Sequence, residues 1–280
     1  MTRILALLAL VNLHSPMHAQ EQISVMSFNI RYDNEKDGDN RWQLRKERVA
    51  AFLAFHEPDF IGAQEVLHRQ LTYLDSSLTH HRAIGVGRDD GRTEGEYACI
   101  LYDERKFVPV RTATFWLSET PDRISRGWDA AINRICTYGL FRSVATGRQC
   151  WVLNTHFDHM GPVARRESAK LMLATVDRLK REVDVPVILM GDFNARPEQE
   201  PVRILSSGLL NARDVSRDPP HGGPDTWNGF KFAEKPDGWI DHIFVSGRLQ
   251  VLKYATCTDS YEMRYLSDHF PILARISLLQ

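Results

Sequence analysis

Val187-Ile188-Leu189-Met190-Gly191-Asp192-Phe193-Asn194 begins with four consecutive apolar residues and ends on two polar ones flanking a phenylalanine. A short, fully apolar run reads as a strand covered on both faces. In extended chain, residues two apart point the same way, so Asp192 and Asn194 would leave the strand end on one side. Gly191 lets another backbone approach closely. Taken alone, the segment suits an Asx turn after a strand equally well. Five further polar islands repeat the pattern at the ends of apolar runs: Ser27-Phe28-Asn29, Gln64-Glu65, Asn154-Thr155-His156, Ile240-Asp241-His242 and Ser267-Asp268-His269. Four carboxylates and three histidines lie within the six. Groups so far apart in sequence act together only if the fold gathers strand ends at one surface, where α/β folds place their sites.

The segments between the islands supply that fold. Ile23 to Ile30 is a β-like run, followed by an acidic turn from Asp33 to Asn40 that lacks the oxygens and terminal Glu of an EF-hand loop. Asn40 is placed to cap a helix carrying Trp42, Val49, Phe52 and Leu53 on one face. Pro58 stops it, Asp59 to Ala63 leads as a strand into Glu65, and a helix is expected from Val66 to Leu78. Four β-rich runs follow, Tyr97 to Tyr102, Phe107 to Leu117, Ile132 to Val144 and Gln149 to Thr155, with a hairpin at Thr146-Gly147. Ser118 to Ala130 is a loop beside them. From Gly161, residues Ala164, Ser168, Leu171, Met172, Val176 and Leu179 recur at helical spacing. A short helix (Glu198 to Leu205), a loop (Asp214 to Phe230) and three strands (Trp239 to Val245, Leu249 to Cys257, Pro271 to Ile276) complete the chain. The pattern predicts an α/β sandwich: two mixed β-sheets packed face to face, helices outside.

At 280 residues and 43% hydrophobic, with no linker or repeat, the chain is expected to form one domain over residues 20–280. Its 35 Lys+Arg against 36 Asp+Glu lack the basic excess that non-specific nucleic-acid binding uses. Residues 1–19 read as a signal peptide: Arg3, an apolar stretch from Ile4 to Leu13, then a polar stretch ending at Ala19. Export to the periplasm or medium is therefore expected. The run is too short to span a bilayer, no other segment is apolar enough, and a monomer is expected. Cys99, Cys136, Cys150 and Cys257 sit in apolar runs without Cys-x-x-Cys spacing, as small hydrophobes do.

The islands carry a specific chemistry. A carboxylate such as Glu65 can hold Mg²⁺ while water and substrate oxygens complete the shell, although a carboxylate before a helix also simply favours the helix dipole. Asp192 and Asn194 can orient a water and donate to a phosphoryl oxygen. His156 can donate to a non-bridging oxygen as charge builds; a lone histidine is more commonly a satisfied sheet-end residue. Asp268 and His269 offer a metal-side carboxylate beside a base that titrates near neutrality, and Asp241 can fix that base's tautomer.

In their order from first strand to last, Asn29, Glu65, His156, Asp192 with Asn194, Asp241, and Asp268 with His269 resemble the motifs of the endonuclease/exonuclease/phosphatase superfamily, the deoxyribonuclease I-like fold. The resemblance covers the chain after residue 19. It implies a four-layer α/β sandwich and Mg²⁺- or Mn²⁺-dependent cleavage of phosphoesters. Asn29 and Glu65 would then hold metal or metal-bound water, with Asp268 assisting. Asp192 and Asn194 would position water and phosphate, Asp241 would orient His269, and His156 would stabilise the phosphorane-like state. Trp116-Leu117-Ser118-Glu119-Thr120-Pro121, Gly127-Trp128-Asp129-Ala130-Ala131 and Asn133-Arg134 look like an exported bacterial branch related to the deadenylase and nocturnin group. Arg134 can present a guanidinium to phosphate, or be a surface ion pair. Arg126, Trp128, Trp227 and Phe230 complete the expected substrate surface. The expected function is a phosphohydrolase acting on a small or single-ended phosphoester: a sugar phosphate, nucleotide, inositol phosphate or phospholipid headgroup. A secreted nuclease, with nucleic acid as substrate, and a non-catalytic binding module on the same fold are the alternatives.

Overall fold

The computed structural model describes residues 21–278; the expected signal segment lies outside the described residues. Two six-stranded sheets form the frame. The first contains β1 (Gln22–Asn29), β2 (Phe60–Val66), β3 (His81–Ile84), β4 (Tyr97–Asp103), β11 (Leu249–Thr256) and β14 (Ile272–Leu278), in the order β11-β14-β1-β2-β4-β3. The second contains β5 (Phe107–Trp116), β6 (Ile135–Ser143), β7 (Gln149–His156), β8 (Val187–Asp192), β9 (Leu210–Asn211) and β10 (Asp241–Val245), in the order β5-β6-β7-β8-β10-β9. Each sheet has one parallel pair, β1 with β2 and β7 with β8, flanked by antiparallel strands. Parallel neighbours need a crossover. It is α1 (Trp42–His56) in the first case and α3 (Pro162–Glu182) in the second, while α2 (His68–Ser77) links β2 to β3.

The alternation of side chains sorts the core into layers. On β8, Ile188 and Met190 join the cluster between the sheets, while Val187 and Leu189 join the cluster beneath α3 and α4 (Glu200–Ser206). On β1, Ile23 and Val25 face inward, and Met26 and Phe28 pack with Trp42, Val49, Phe52 and Leu53 of α1. This is the four-layer sandwich. Trimming one inner residue such as Ile188 to alanine should cost about 2–5 kcal/mol.

Local departures from expectation have physical causes. Arg41, not Asn40, is the residue before α1, without a side-chain cap; the Asn40 carbonyl instead accepts from the buried Arg45 guanidinium. The acidic turn is a 3-10 segment, Glu35–Asn40. Strand β3 and the hairpin β12 (Ser260–Tyr261) with β13 (Arg264–Tyr265) were not expected, being too short for a periodic signal. All four cysteines are buried free thiols. Among the described residues no helix is long and apolar enough to cross a membrane.

Candidate active site

The inner-face positions of four strands, β1, β7, β8 and β10, run out at one end of the gap between the sheets. On β1 that face continues from Val25 to Asn29, on β7 from Val152 to His156, and on β8 from Met190 to Asp192. The register places Asp192 between two partners, His156 on β7 and Asp241 on β10. A β-bulge between Ala63 and Val66 turns Glu65 to the same end, with φ at +57°. Arg31 and Asn194 also hold positive φ, at +59° and +46°. Three of the eight described non-glycine residues with positive φ thus lie at this edge, where side chains are aimed for function. Gly191 is required: a Cβ there would lie 2.1 Å from the Thr155 carbonyl oxygen.

Asp241 and His269 form a buried pair, Oδ2 to Nδ1 at 2.9 Å. The Asp241 backbone N–H donates to Thr226 Oγ1, which fixes the start of β10. Burial alone would push the His269 imidazolium down, but the Asp241 and Asp192 carboxylates outweigh it and hold its pKa well above the ordinary histidine value. Asp192 Oδ2 lies 3.8 Å from His269 Nε2 and 3.4 Å from His156 Nε2. Burial, and then the charge of Asp241, push the Asp192 carboxyl up to about 7. His156 is driven the other way, well below 6.5, by burial and the guanidinium groups of Arg134 and Arg88. It is a neutral imidazole. Asn194 Nδ2 donates to the Phe157 carbonyl at 3.0 Å and lies 3.1 Å from His156 Nε2.

Glu65 and Asp268 face each other across Arg31, whose guanidinium is 3.7 Å from each carboxylate. Asp37 grips Arg31 from behind through two hydrogen bonds of 3.0 Å. Asn29 reaches the carboxylates with its amide nitrogen, 3.1 Å from Glu65 and 3.0 Å from Asp192. Its oxygen accepts from the Arg31 backbone N–H. In this orientation Asn29 steadies the two acids; Glu65 also accepts from the Tyr32 N–H through Oε2 and Asp268 from Ser267 through Oδ1, and each carboxylate oxygen keeps lone-pair capacity for a further partner. Burial, with Glu65 opposite, raises the pKa of Asp268. Two facing carboxylates of this kind fit a hard divalent cation such as Mg²⁺ or Mn²⁺. Asp192, Asp241 and His269 also offer one ligand atom each, all within 4.8 Å of one another. There, however, the Asp241–His269 hydrogen bond already engages one histidine nitrogen, which suits a base and its orienter better than a metal shell.

Of these groups Arg31, Glu65, His156, Asp192, Asn194, Asp268 and His269 line a cleft of about 570 Å³ whose other walls are Tyr32, Arg88, Glu96, Ile132, Arg134, His159, Trp227 and Ile240. Arg134 is 4% exposed. It is held by Asp158 at 3.4 Å and by His159 at 2.9 Å, so it is a buried clamp and no surface ion pair. Burial and the neighbouring Arg88 lower its pKa. Three residues of the expected substrate surface lie outside this cleft. Arg126 and Trp128 are absent from the cleft lining. Arg126 is exposed, and Trp128 has its backbone N–H turned to the Glu119 carboxylate. The adjacent Asp129 explains the motif: its carboxylate accepts from the Val163 and Ala164 N–H groups and caps α3. Phe230 is likewise outside the cleft, stacked near Arg45. Gln64 and Asn154 are structural, bonding each other at 2.7 Å across the gap between the sheets. His242 is wedged between Asn211 and the Ala195 carbonyl. Arg31, Arg88, Glu96 and His159 were not anticipated, although Arg31 and His159 follow islands closely enough to have been suspected.

Comparison with known proteins agrees with this geometry. The sequence profile described as the Endonuclease/Exonuclease/phosphatase family matches residues 26–269. A crystal structure of an endonuclease/exonuclease/phosphatase family protein from Bacteroides thetaiotaomicron superimposes with a TM-score of 0.90 at 36% identity, covering 94% of this chain and 100% of that one. A mannosyl-6-phosphatase from the same organism superimposes with a TM-score of 0.89, also at 36% identity, covering 91% and 100%. Nocturnin from Drosophila melanogaster is 25% identical over 287 residues, 85% of this chain but only 42% of that protein. The chain belongs to the endonuclease/exonuclease/phosphatase family, whose members hydrolyse phosphoesters.

Proposed function

We propose that this chain is an exported, divalent-metal-dependent phosphohydrolase acting on a small phosphoester, with a sugar monophosphate as the favoured substrate. The observation that carries the reading is the bounded cleft, where a facing carboxylate pair, a buried Asp–His pair and a buried arginine converge. Its volume of about 570 Å³ suits one compact ligand, within the range of small-molecule sites. The 36% identity to a mannosyl-6-phosphatase over that protein's full length supports the substrate class.

A bound Mg²⁺ or Mn²⁺, held by Glu65 and Asp268, would supply polarisation of the phosphoryl oxygens. The protein's own groups do the rest. His269 Nε2 takes a proton from water, its ring fixed by Asp241 through Nδ1. Asp192 sits 3.8 Å from that nitrogen and orients the water. Water oxygen then bonds to phosphorus, the ester P–O bond breaks with its electron pair going to the departing oxygen, and that oxygen takes up a proton from solvent as the alcohol leaves. Arg134 holds a non-bridging oxygen, and neutral His156 lies beside the developing oxyanion with its ring held by the Asn194 amide. A nuclease remains the second reading, favoured by the chain's likeness to nocturnin. The test is a panel of sugar phosphates, nucleotides, phosphodiesters, DNA and RNA at two salt concentrations. Turnover of small monoesters with mild salt dependence is expected. Efficient cleavage of long nucleic acid that falls steeply with salt, with negligible small-ester turnover, would refute it.

A further inference from the structure

Residues 85–96, Gly-Val-Gly-Arg-Asp-Asp-Gly-Arg-Thr-Glu-Gly-Glu, join β3 to β4 and form a loop that the hydrolytic chemistry above does not use. The loop closes on itself. Gly87 N–H donates to the Arg92 carbonyl, Arg88 N–H to Glu96, Asp89 N–H to Glu94 and Gly91 N–H to Gly87. Asp90 Oδ1 accepts from the Arg92 and Glu94 N–H groups at 2.7 and 2.9 Å. A Cβ at Gly87 would lie 2.2 Å from the Glu94 carbonyl oxygen, so the closure depends on glycine. Trp116 Nε1 pins the loop from outside through the Arg88 carbonyl at 2.8 Å.

This closure delivers one side-chain pair into the cleft. Arg88 binds Glu96 through both guanidinium forks, at 2.8 and 2.9 Å, with both side chains largely buried. Taking two charges out of water costs free energy, and the pair that ties the loop ends together does so at the cleft wall. Its chemistry is selective. Arg88 is neutralised by its partner, so the pair has no net charge to attract a second phosphate, and Glu96 would repel one. A neutral group with neighbouring hydroxyls meets acceptors on Glu96 and the edge of a guanidinium fork together. Trp227, 39% exposed, offers a flat face in the same cleft.

We propose that Arg88 and Glu96 form a subsite for the neutral, polyhydroxylated part of the substrate, the adjacent hydroxyls of a sugar ring, while Arg134 serves the phosphoryl oxygens. This rests on the phosphohydrolase reading above. The experiment compares kcat/KM for a hexose 6-phosphate with that for p-nitrophenyl phosphate, in wild type, Glu96→Gln and the double variant Arg88→Gln/Glu96→Gln. The double variant keeps a neutral hydrogen-bonding pair should the single change leave Arg88 unpaired and the loop unstable. The preference for the sugar ester is expected to fall by roughly 10- to 100-fold, the scale of losing a charged hydrogen bond to a neutral group, and mainly through KM. Free hexose should inhibit wild type competitively and the variants more weakly. Equal losses on both substrates would refute the subsite alone. So would a wild type that prefers a hexose bisphosphate or a nucleotide to the hexose 6-phosphate. A wild type inert toward every phosphoester would refute the phosphohydrolase reading, and the subsite with it.

Discussion

Replacing Asp241 with asparagine keeps the shape of the buried pair and removes its charge. Asp241 Oδ2 is 2.9 Å from His269 Nδ1, with side chains 1% and 6% exposed, so water screens the pair little. With charge centres about 4 Å apart and an effective dielectric of about 20, the interaction is worth about 4 kcal/mol as an upper bound. Losing an interaction of that size moves the His269 titration far enough for a pH profile to resolve it. The sign is fixed. His269 is held above its ordinary value because carboxylates favour its charged form, so Asp241→Asn must move its pKa down. A base works only when neutral, and the alkaline-rising limb of the kcat profile should therefore shift to lower pH in the variant. The plateau should nonetheless drop, because the imidazole loses its fixed tautomer; a loss of about 10²–10⁴ in kcat is expected. His269→Ala should cost a similar factor, and the double variant little more than either single change, because the two act as a unit. Phosphate release from a saturating small ester between pH 5 and 9 measures all three variants. Strictly additive losses in log kcat, or a limb that shifts upward, would refute the assigned roles.

His242 predicts a stability effect separate from catalysis. Burial pushes its pKa down to about 4, while the unfolded chain titrates near 6.5, so the unfolded state binds more protons between those values. Stability from its neutral form is complete above pH 6.5 and is lost as pH falls toward 4, by up to about 3 kcal/mol. Melting curves over that range should steepen in wild type and flatten in His242→Gln, and identical slopes would count against this role. Arg31 is the cation nearest the Glu65–Asp268 pair. Arg31→Ala should lower the melting temperature of metal-free protein and tighten Mn²⁺ binding by about tenfold, the scale of one cation in a partly solvated site; unchanged calorimetric affinity would contradict it. If residues 1–19 are a signal peptide, intact mass of protein from the periplasm or medium of a bacterial host should begin at Gln20, and recovery of only cytosolic protein retaining Met1 would contradict export.

The layers and the strand-end residues were legible because period-two alternation in Ile188–Asp192 and Val25–Asn29 forces those side chains onto one face. Two things escaped the sequence. Bulge and turn geometry re-aims individual groups: Glu65 reaches the site only through its bulge, and Asn29 presents its nitrogen because the Arg31 N–H occupies its oxygen. Charged residues in loops also look alike. Arg126 and Trp128 read as a substrate surface but stand outside the cleft, while Arg88 and Glu96 sit within it. Asp129, from the same motif, caps a helix more than thirty residues away. None of these distinctions has a local periodic signal.

The most direct test of the central claim is phosphate release from a hexose 6-phosphate by the purified chain, titrated with Mg²⁺ and Mn²⁺ after EDTA treatment, for wild type and Glu65→Gln. Wild type should be inactive in EDTA and recover with either ion. Glu65→Gln should need far more metal for a much lower rate, with little change in melting temperature. Full wild-type activity in EDTA, or a Glu65→Gln enzyme with an unaltered metal requirement, would contradict a metal-assisted phosphohydrolase built on Glu65 and Asp268.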